Sequence, residues 1–270
     1  MIPFVAKLFS PEIKTAAQEE IMKNKRLFTA IVGPALLFLA GQAQAAEIKV
    51  FASTAVKTVL EELGPQFEKA TGNTLAFTIA PAAVLKEKID QGAAFDVAIL
   101  TAPLTDSLAK ETKIDTTRTT IAHAGIGVAI RKGATKPDIS TTEAFKRALL
   151  DAKSVGFTAA GASGVYLRTS FEKLGIADEL KPKLKLLQGA AGEAVANGEV
   201  DIGLTQISEI LPYANVELVG PLPSDVQSYT YFSAGVSTGS KEADSAKEFI
   251  KFLTTQDALA VIRAKGMEPG

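Results

Sequence analysis

From Glu47 onward the chain alternates between two hydrophobic periods. In AEIKVFAS (46–53), Ile48, Val50 and Phe51 predict a short apolar strand. In TAVKTVLEELGPQFEKATG (54–72), Val56, Val59, Leu60, Leu63 and Phe67 recur at helical spacing, and Gly72 stands where a helix would stop. TLAFTIA (74–80) reads as a strand, AAVLKEKIDQG (82–92) as a helix closed by Gly92, and FDVAIL (95–100) as a continuously apolar third strand. Strand and helix alternating this closely predict crossover units that build a parallel sheet.

The pattern then restarts. AHAGIGVAIRKG (122–133) predicts a strand, and STTEAFKRALLDA (140–152) a helix with Ser140 as N-cap and Glu143 completing a capping box. SVGFTA (154–159) is a buried strand, and GASGVYLRTSFEKLG (161–175) a glycine-serine turn feeding a helix. A short helix, a turn and a strand Ile202 to Gln206 follow within 192–210, and QSYTYFSAGVSTGS (227–240) is a further strand. Residues 241–266 hold two amphipathic helices broken near 254–256. The fold class this predicts is α/β, in two lobes, each a mostly parallel sheet flanked by helices.

The first 45 residues follow another logic. Lys23, Lys25 and Arg26 precede a 14-residue apolar run, Leu27 to Ala40, and Ala43-Gln44-Ala45 ends it. A spanning helix needs about 20 apolar residues, whereas this pattern is that of a cleaved secretory signal. Residues 22–45 are therefore expected to be a signal peptide cut after Ala45, with Met22 as the natural start and residues 1–21 a mis-annotated extension. Removing residues 1–45 leaves 225 of the 270, room for two lobes of about 110 each. It also removes five of 29 cations and three of 30 anions, so the remainder carries a net charge near −3. That balance is unlike the basic footprint of a nucleic-acid binder.

Composition narrows the chemistry further. The chain has no cysteine and a single histidine, His123, which removes thiol catalysis and multi-cysteine or multi-histidine metal sites. His123 lies in an apolar strand and reads as a satisfied core histidine. Glu61, Glu62, Glu199 and Asp201 read as solvated surface, and Asp96 and Asp201 as strand-opening residues engaged in local hydrogen bonds. There is no GxSxG elbow, GxGxxG or P-loop. No cofactor or metal is expected, and the chain does not read as an enzyme.

What remains is four strand-to-helix junctions of small uncharged residues: FASTAV (51–56), APAAV (80–84), GASGV (161–165) and LLQGAAG (186–192). Small side chains let a ligand approach the unpaired N–H groups of a helix start, where the dipole favours an anion. Each junction taken alone is ordinary capping chemistry.

Four stretches, AEIKVFASTAVKTVLEELGPQFEKATG, VLKEKIDQGAAFDVAIL, GASGVYLRTSFEKLGI and AKEFIKFLTTQDALAVIRAKGMEP, resemble the periplasmic molybdate-binding proteins, in order along the whole mature chain. The resemblance implies the two-lobed type II fold of solute-binding proteins of ATP-driven (ABC) importers. It implies two crossing strands, near 121–128 and 228–236, joining a lobe of 46–125 plus 230–270 to a lobe of 126–229. Its further implications are a periplasmic monomer, a small-molecule or oxyanion ligand and an inner-membrane ABC permease as partner.

The family holds its oxyanion with serine hydroxyls, backbone N–H groups and a tyrosine hydroxyl. Carried onto this chain, those positions give Ser53 and Thr54 beside Ala55, the backbone of Ala82 and Ala83, Ser163, Gly164 and Val165, then Gln188, and Gln206 in place of the tyrosine. Two lost hydroxyls at about 1.5–3 kcal/mol each lower oxyanion affinity by roughly two to four powers of ten. The two glutamines bring acceptors as well as donors. The expected solute is small, polar and anionic, either an organic acid with a polar tail or molybdate or tungstate held by Thr54 and Ser163. A periplasmic sensor without a permease, or an enzyme on the same fold, are the alternatives.

Overall fold

The computed structural model describes residues 45–270; the signal and start-site expectations for residues 1–44 fall outside it. β1 (Glu47–Ser53) lies parallel to both β2 (Thr74–Ala80) and β3 (Val97–Thr101). The crossovers are α1 (Lys57–Thr71), which ends on Gly72 at φ 78°, and α2 (Ala82–Asp90). β3 is followed by a helix the periodicity does not predict, α3 (Ala102–Lys110), whose buried members are only Thr105 and Leu108. β4 (Thr119–Arg131) then runs thirteen residues.

The second half contains α4 (Thr142–Asp151), β5 (Val155–Thr158), α5 (Ala162–Lys173), α6 (Ala177–Leu180), β6 (Leu184–Leu187), α7 (Ala191–Asn197), β7 (Ile202–Gln206) and β8 (Val216–Pro221). It returns through β9 (Tyr229–Val236), α8 (Ala243–Phe252), α9 (Gln256–Ala264) and β10 (Glu268–Pro269). The N-cap of α4 is Thr141 rather than Ser140. Thr141 is extended, and its hydroxyl accepts from Ala144 N at 3.1 Å.

The strands follow the order β2-β1-β3-β9-β4-β7-β5-β6. The outer pairs are parallel, while β9 is antiparallel to β3 and to the first half of β4. Beyond Gly125, β4 changes partners and pairs antiparallel with β7 and β8. The buried side chains change with it. Ile121, Ala122 and Ala124 pack with Ile48, Phe67, Phe232 and Phe249, whereas Ile126, Val128 and Ile130 pack with Phe145, Phe157, Phe171 and Leu204. Two lobes with separate cores thus share one continuous strand.

The crossover is fastened by Gln227, whose amide imitates a strand residue. It accepts from Ile126 N at 2.9 Å and donates to Ile126 O at 3.0 Å. Beside it Gly127 leaves no room for a side chain: a Cβ there would stand 2.8 Å from Leu218 and 2.9 Å from Ile207. In the first lobe, buried Asp96 accepts from Lys49 N at 2.8 Å and from Ser240 Oγ at 2.6 Å, tying β1 to the start of α8. Asp201 accepts from Lys153 N at 3.0 Å, 48 positions away, so both aspartates tie distant segments together and do not make the local bonds expected of strand-opening residues.

Candidate functional site

The carboxyl ends of β1, β2, β5 and β7 converge on a cavity of about 390 Å³. Its lining comes from both lobes: Ser53, Thr54, Lys57 and Ile79 to Ala82 from the first, and Thr158, Gly161 to Ser163, Gln188 to Ala190, Gln206 and Glu209 from the second. Strand ends in open α/β sheets are where ligands bind, because the following helices start there. The starts at Thr54, Ala82, Ala162 and Ala191 carry no side-chain cap. Thr141 and Thr255, away from the cavity, do cap their helices, while α3 and α8, also away from it, do not carry a side-chain cap. Uncapped N–H groups are free to take an anion's oxygens.

A larger hollow of about 1030 Å³ lies at the opposite end of the second sheet, where β7 begins at Ile202. Arg131, Lys136, Arg147 and Lys153 line it together with Asp138, Asp151 and Asp201. It is a surface basin of mixed charge that belongs to one lobe, so the interlobe cavity is the better candidate.

Of the residues expected from sequence, Ser53, Thr54, Ala82, Ser163, Gln188 and Gln206 line the cavity. Ser53, Ser163 and Gln206 are buried around it. Ala83, Gly164 and Val165 do not line it. Ala83 is exposed on α2, and Val165 points outward at 62% exposure, its N–H already donated to Gly161 O at 3.1 Å. Gly164 is buried against β5, where a Cβ would fall well inside van der Waals contact distance of the Thr158 carbonyl oxygen and 3.0 Å from Phe157. Its smallness serves packing of α5 on β5.

Lys57, Thr158 and Glu209 also line the cavity, and the sequence reading missed them. Lys57 had a signal: it opens α1, where the macrodipole disfavours a cation. Its ammonium lies 3.6 Å from Glu61. The Thr158 hydroxyl donates to Gly189 O at 2.8 Å and joins the loops after β5 and β6.

Glu209 ends the short 3-10 turn Ile207–Glu209 that follows β7. Burial pushes its carboxyl up from the ordinary value, opposed by hydrogen bonds from the Thr205 hydroxyl and the Gln206 N–H. Burial also raises the nearby Tyr213, helped by the charges of Glu193 and Glu209. In the sequence Glu209 is one carboxylate in QISEI, and no local pattern separates it from a surface acid.

His123 is not the satisfied core residue its strand suggested. The ring is partly exposed and stacks on Tyr231 at 4.8 Å, with Tyr229 edge-on at 5.6 Å. Nε2 lies 3.1 Å from Glu268 Oε2, and Nδ1 has no partner. The apolar strand misled because β4 is buried along most of its length, yet its His123 edge meets exposed tyrosines of β9 and terminal β10. Among the described residues, no group of three or more His, Cys, Asp or Glu side chains is placed to hold a metal ion. Among them too, no helix is long and apolar enough to cross a membrane.

Two α/β lobes joined by crossing strands, with strand ends and bare helix starts around a cavity between them, define a two-lobed ligand-binding protein. The chain belongs to the bacterial extracellular solute-binding protein family, whose profile matches residues 48–268. Members of this family are mostly non-enzymatic, ligand-binding proteins of ABC transporters and are periplasmic or extracellular. The chain is similar to aconitate isomerase of Pseudomonas sp, 29% identical across 82% of this chain and 87% of the relative. It is also similar to the molybdate-binding protein ModA of Escherichia coli, 27% identical across 87% and 95%. Its fold is that of the Azotobacter vinelandii periplasmic molybdate-binding protein, with a TM-score of 0.71 at 19% identity, covering 83% of this chain and 99% of that one. The molybdate-binding-like, type II expectation therefore holds, with a chain divergent from that group.

Proposed function

We propose that the chain is the periplasmic receptor of an ABC importer that closes on a small organic polycarboxylate. One observation carries the choice of cargo: the cavity offers Lys57 and bare helix starts together with the amides of Gln188 and Gln206 and the carboxyl of Glu209. A tetrahedral metal oxyanion brings only acceptor oxygens. It would leave the amide oxygens unmatched and place a carboxyl against its charge. A polycarboxylate with a hydroxyl or a protonated oxygen matches both kinds of group.

The bodies that move are the lobes 46–125 plus 230–270 and 126–229, hinged where β4 changes partners and where the chain returns after Pro221. Ser53, Thr54 and Ala82 hold the ligand from one lobe, and Ser163, Gln188 and Gln206 from the other. Released as a monomer, the closed form docks on an inner-membrane permease.

Isothermal titration and melting with citrate, aconitate, molybdate, tungstate and sulfate test this. Binding of the organic acids in preference to the metal oxyanions is expected. A ligand at about 100 times its dissociation constant stabilises by about 2.7 kcal/mol, a rise of about 5–10 °C. Tight molybdate binding with no response to the organic acids would reverse the assignment.

A second reading has its own support: the aconitate isomerase relative points to a cleft that rearranges an unsaturated tricarboxylate as well as binding it. Proton NMR of cis-aconitate incubated with the protein separates the two, since a receptor returns the ligand unchanged and an isomerase does not.

A further inference from the structure

Helix starts and Lys57 attract an anion, and a carboxylate in the same cavity repels it. Glu209 is nonetheless part of the lining, on the turn directly after β7 and three residues beyond Gln206. The groups around it do little to neutralise it. Thr205 donates a hydroxyl and Gln206 its N–H, while Tyr213 and Glu193 bring no positive charge. Among the described residues, the one cation lining the cavity is Lys57, from the opposite lobe, and no cation stands within salt-bridge distance of Glu209.

An ionised Glu209 facing an ionised ligand has one inexpensive remedy, which is a proton between them. Two carboxylates sharing a site hold one proton far above their ordinary range, and the resulting O–H···O⁻ bond is among the strong ones.

We infer that Glu209 is the specificity-determining group of the cleft, sharing a single proton with a carboxylate of the bound solute, so that binding a polycarboxylate takes up one proton from solvent. This rests on the organic-acid reading of the cleft. No covalent bond changes; the proton enters from the buffer on binding and returns to it on release. Sulfate is a far weaker base than a carboxylate and holds its share of the proton poorly, so the same group disfavours it. Burial pushes the free Glu209 carboxyl upward as well, and a proton it already holds is not taken up on binding, so the uptake appears only above the pH at which the free carboxyl has lost its proton.

The sign follows from linkage. A proton bound more tightly in the complex gives affinity that is fully present at low pH and falls as pH rises above the free protein's Glu209 pKa, by up to about tenfold per pH unit. Titrations of trans-aconitate into the protein, in pairs of buffers with different ionisation enthalpies, read proton uptake directly. They are run between about pH 7 and 8.5, where the free tricarboxylate is ionised.

The wild-type protein should take up close to one proton per ligand, with its Kd rising along that limb. Glu209→Gln cannot titrate and should lose both the uptake and the slope. Should it bind too weakly to titrate, Thr205→Val serves instead: losing the hydroxyl that favours the ionised carboxyl should move the pH midpoint upward. Aconitate binding without proton uptake overturns the inference and leaves the organic-acid reading standing. So does a Glu209→Gln protein that keeps the wild-type slope, or an unmoved midpoint in Thr205→Val. If no organic acid binds, the reading fails and the inference with it.

Discussion

Gly164→Ala distinguishes packing from ligand contact at one residue of the cleft rim. Gly164 lies in the first turn of α5, in a conformation any residue can adopt. With open space around it, alanine there would stabilise the protein by about 0.4–1 kcal/mol, by restricting the unfolded chain. The space is not open. A Cβ would overlap the Thr158 carbonyl oxygen and sit 3.2 Å from its carbon and 3.0 Å from Phe157 Cδ2. A backbone carbonyl cannot rotate away as a flexible side chain would, so α5 must lift off β5.

Overpacking of this kind costs about 1–3 kcal/mol, so the expected sign is opposite to that for an open site. At about 2–4 °C per kcal/mol for a chain of this size, the melting temperature should fall by about 2–12 °C. Gly189→Ala is the internal control. Gly189 lines the cavity, with nothing within 4 Å of its Cβ position and no positive φ, and should stay within about 0.5 kcal/mol. Urea melts of both variants decide the matter: a Gly164→Ala protein as stable as wild type or more so would refute the packing argument.

Three further outcomes are expected. Gln227→Ala removes both bonds to the Ile126 backbone at the crossover. Ile126 O keeps its bond from Leu222 N, so one orphaned N–H remains and the cost should be about 1–3 kcal/mol in a urea melt; a loss under about 0.5 kcal/mol would mean that the amide does not fasten the strand. Ser163→Ala and Gln206→Ala should each weaken ligand binding by about 10- to 150-fold, the worth of a hydrogen bond to a charged group, and unchanged affinity in the double variant would remove the second lobe's side of the site. On the acid side, the Ser107 hydroxyl and then the ammonium groups of Lys86 and Lys113 pull the Glu111 carboxyl from 4.5 down to about 2. A depressed carboxyl stabilises the fold above its unfolded value and loses that contribution as pH falls from 4.5 towards about 2. The Glu111 resonance in an NMR titration should report the low midpoint, and Ser107→Ala should move it up.

The sequence by itself determined the elements whose period is local. α1 was legible because Val59, Leu60, Leu63 and Phe67 all bury on one face, and β3 because all five of its residues are buried. α3, β6 and β8 were not legible. α3 buries two side chains, and no residue of β6 or β8 is fully buried, so neither a stripe nor an alternation marks them. The junctions were legible as chemistry, because small residues before a helix start announce room for a ligand, and six of the nine expected residues do line one cavity. Gly164 and Val165 carry the same composition as Ser163, yet the helical turn points them at β5 and at solvent.

Tertiary structure alone decided which strands meet. β9 enters antiparallel between β3 and β4, about a hundred residues or more from either in sequence, and β4 serves two sheets in succession. It also decided that Lys57 and Glu209, 152 positions apart, line one cavity. Hydrophobic period records which face of an element is buried and carries no information about the partner that buries it. A charged side chain has no period at all, so its role appears only when the lobes are folded around it.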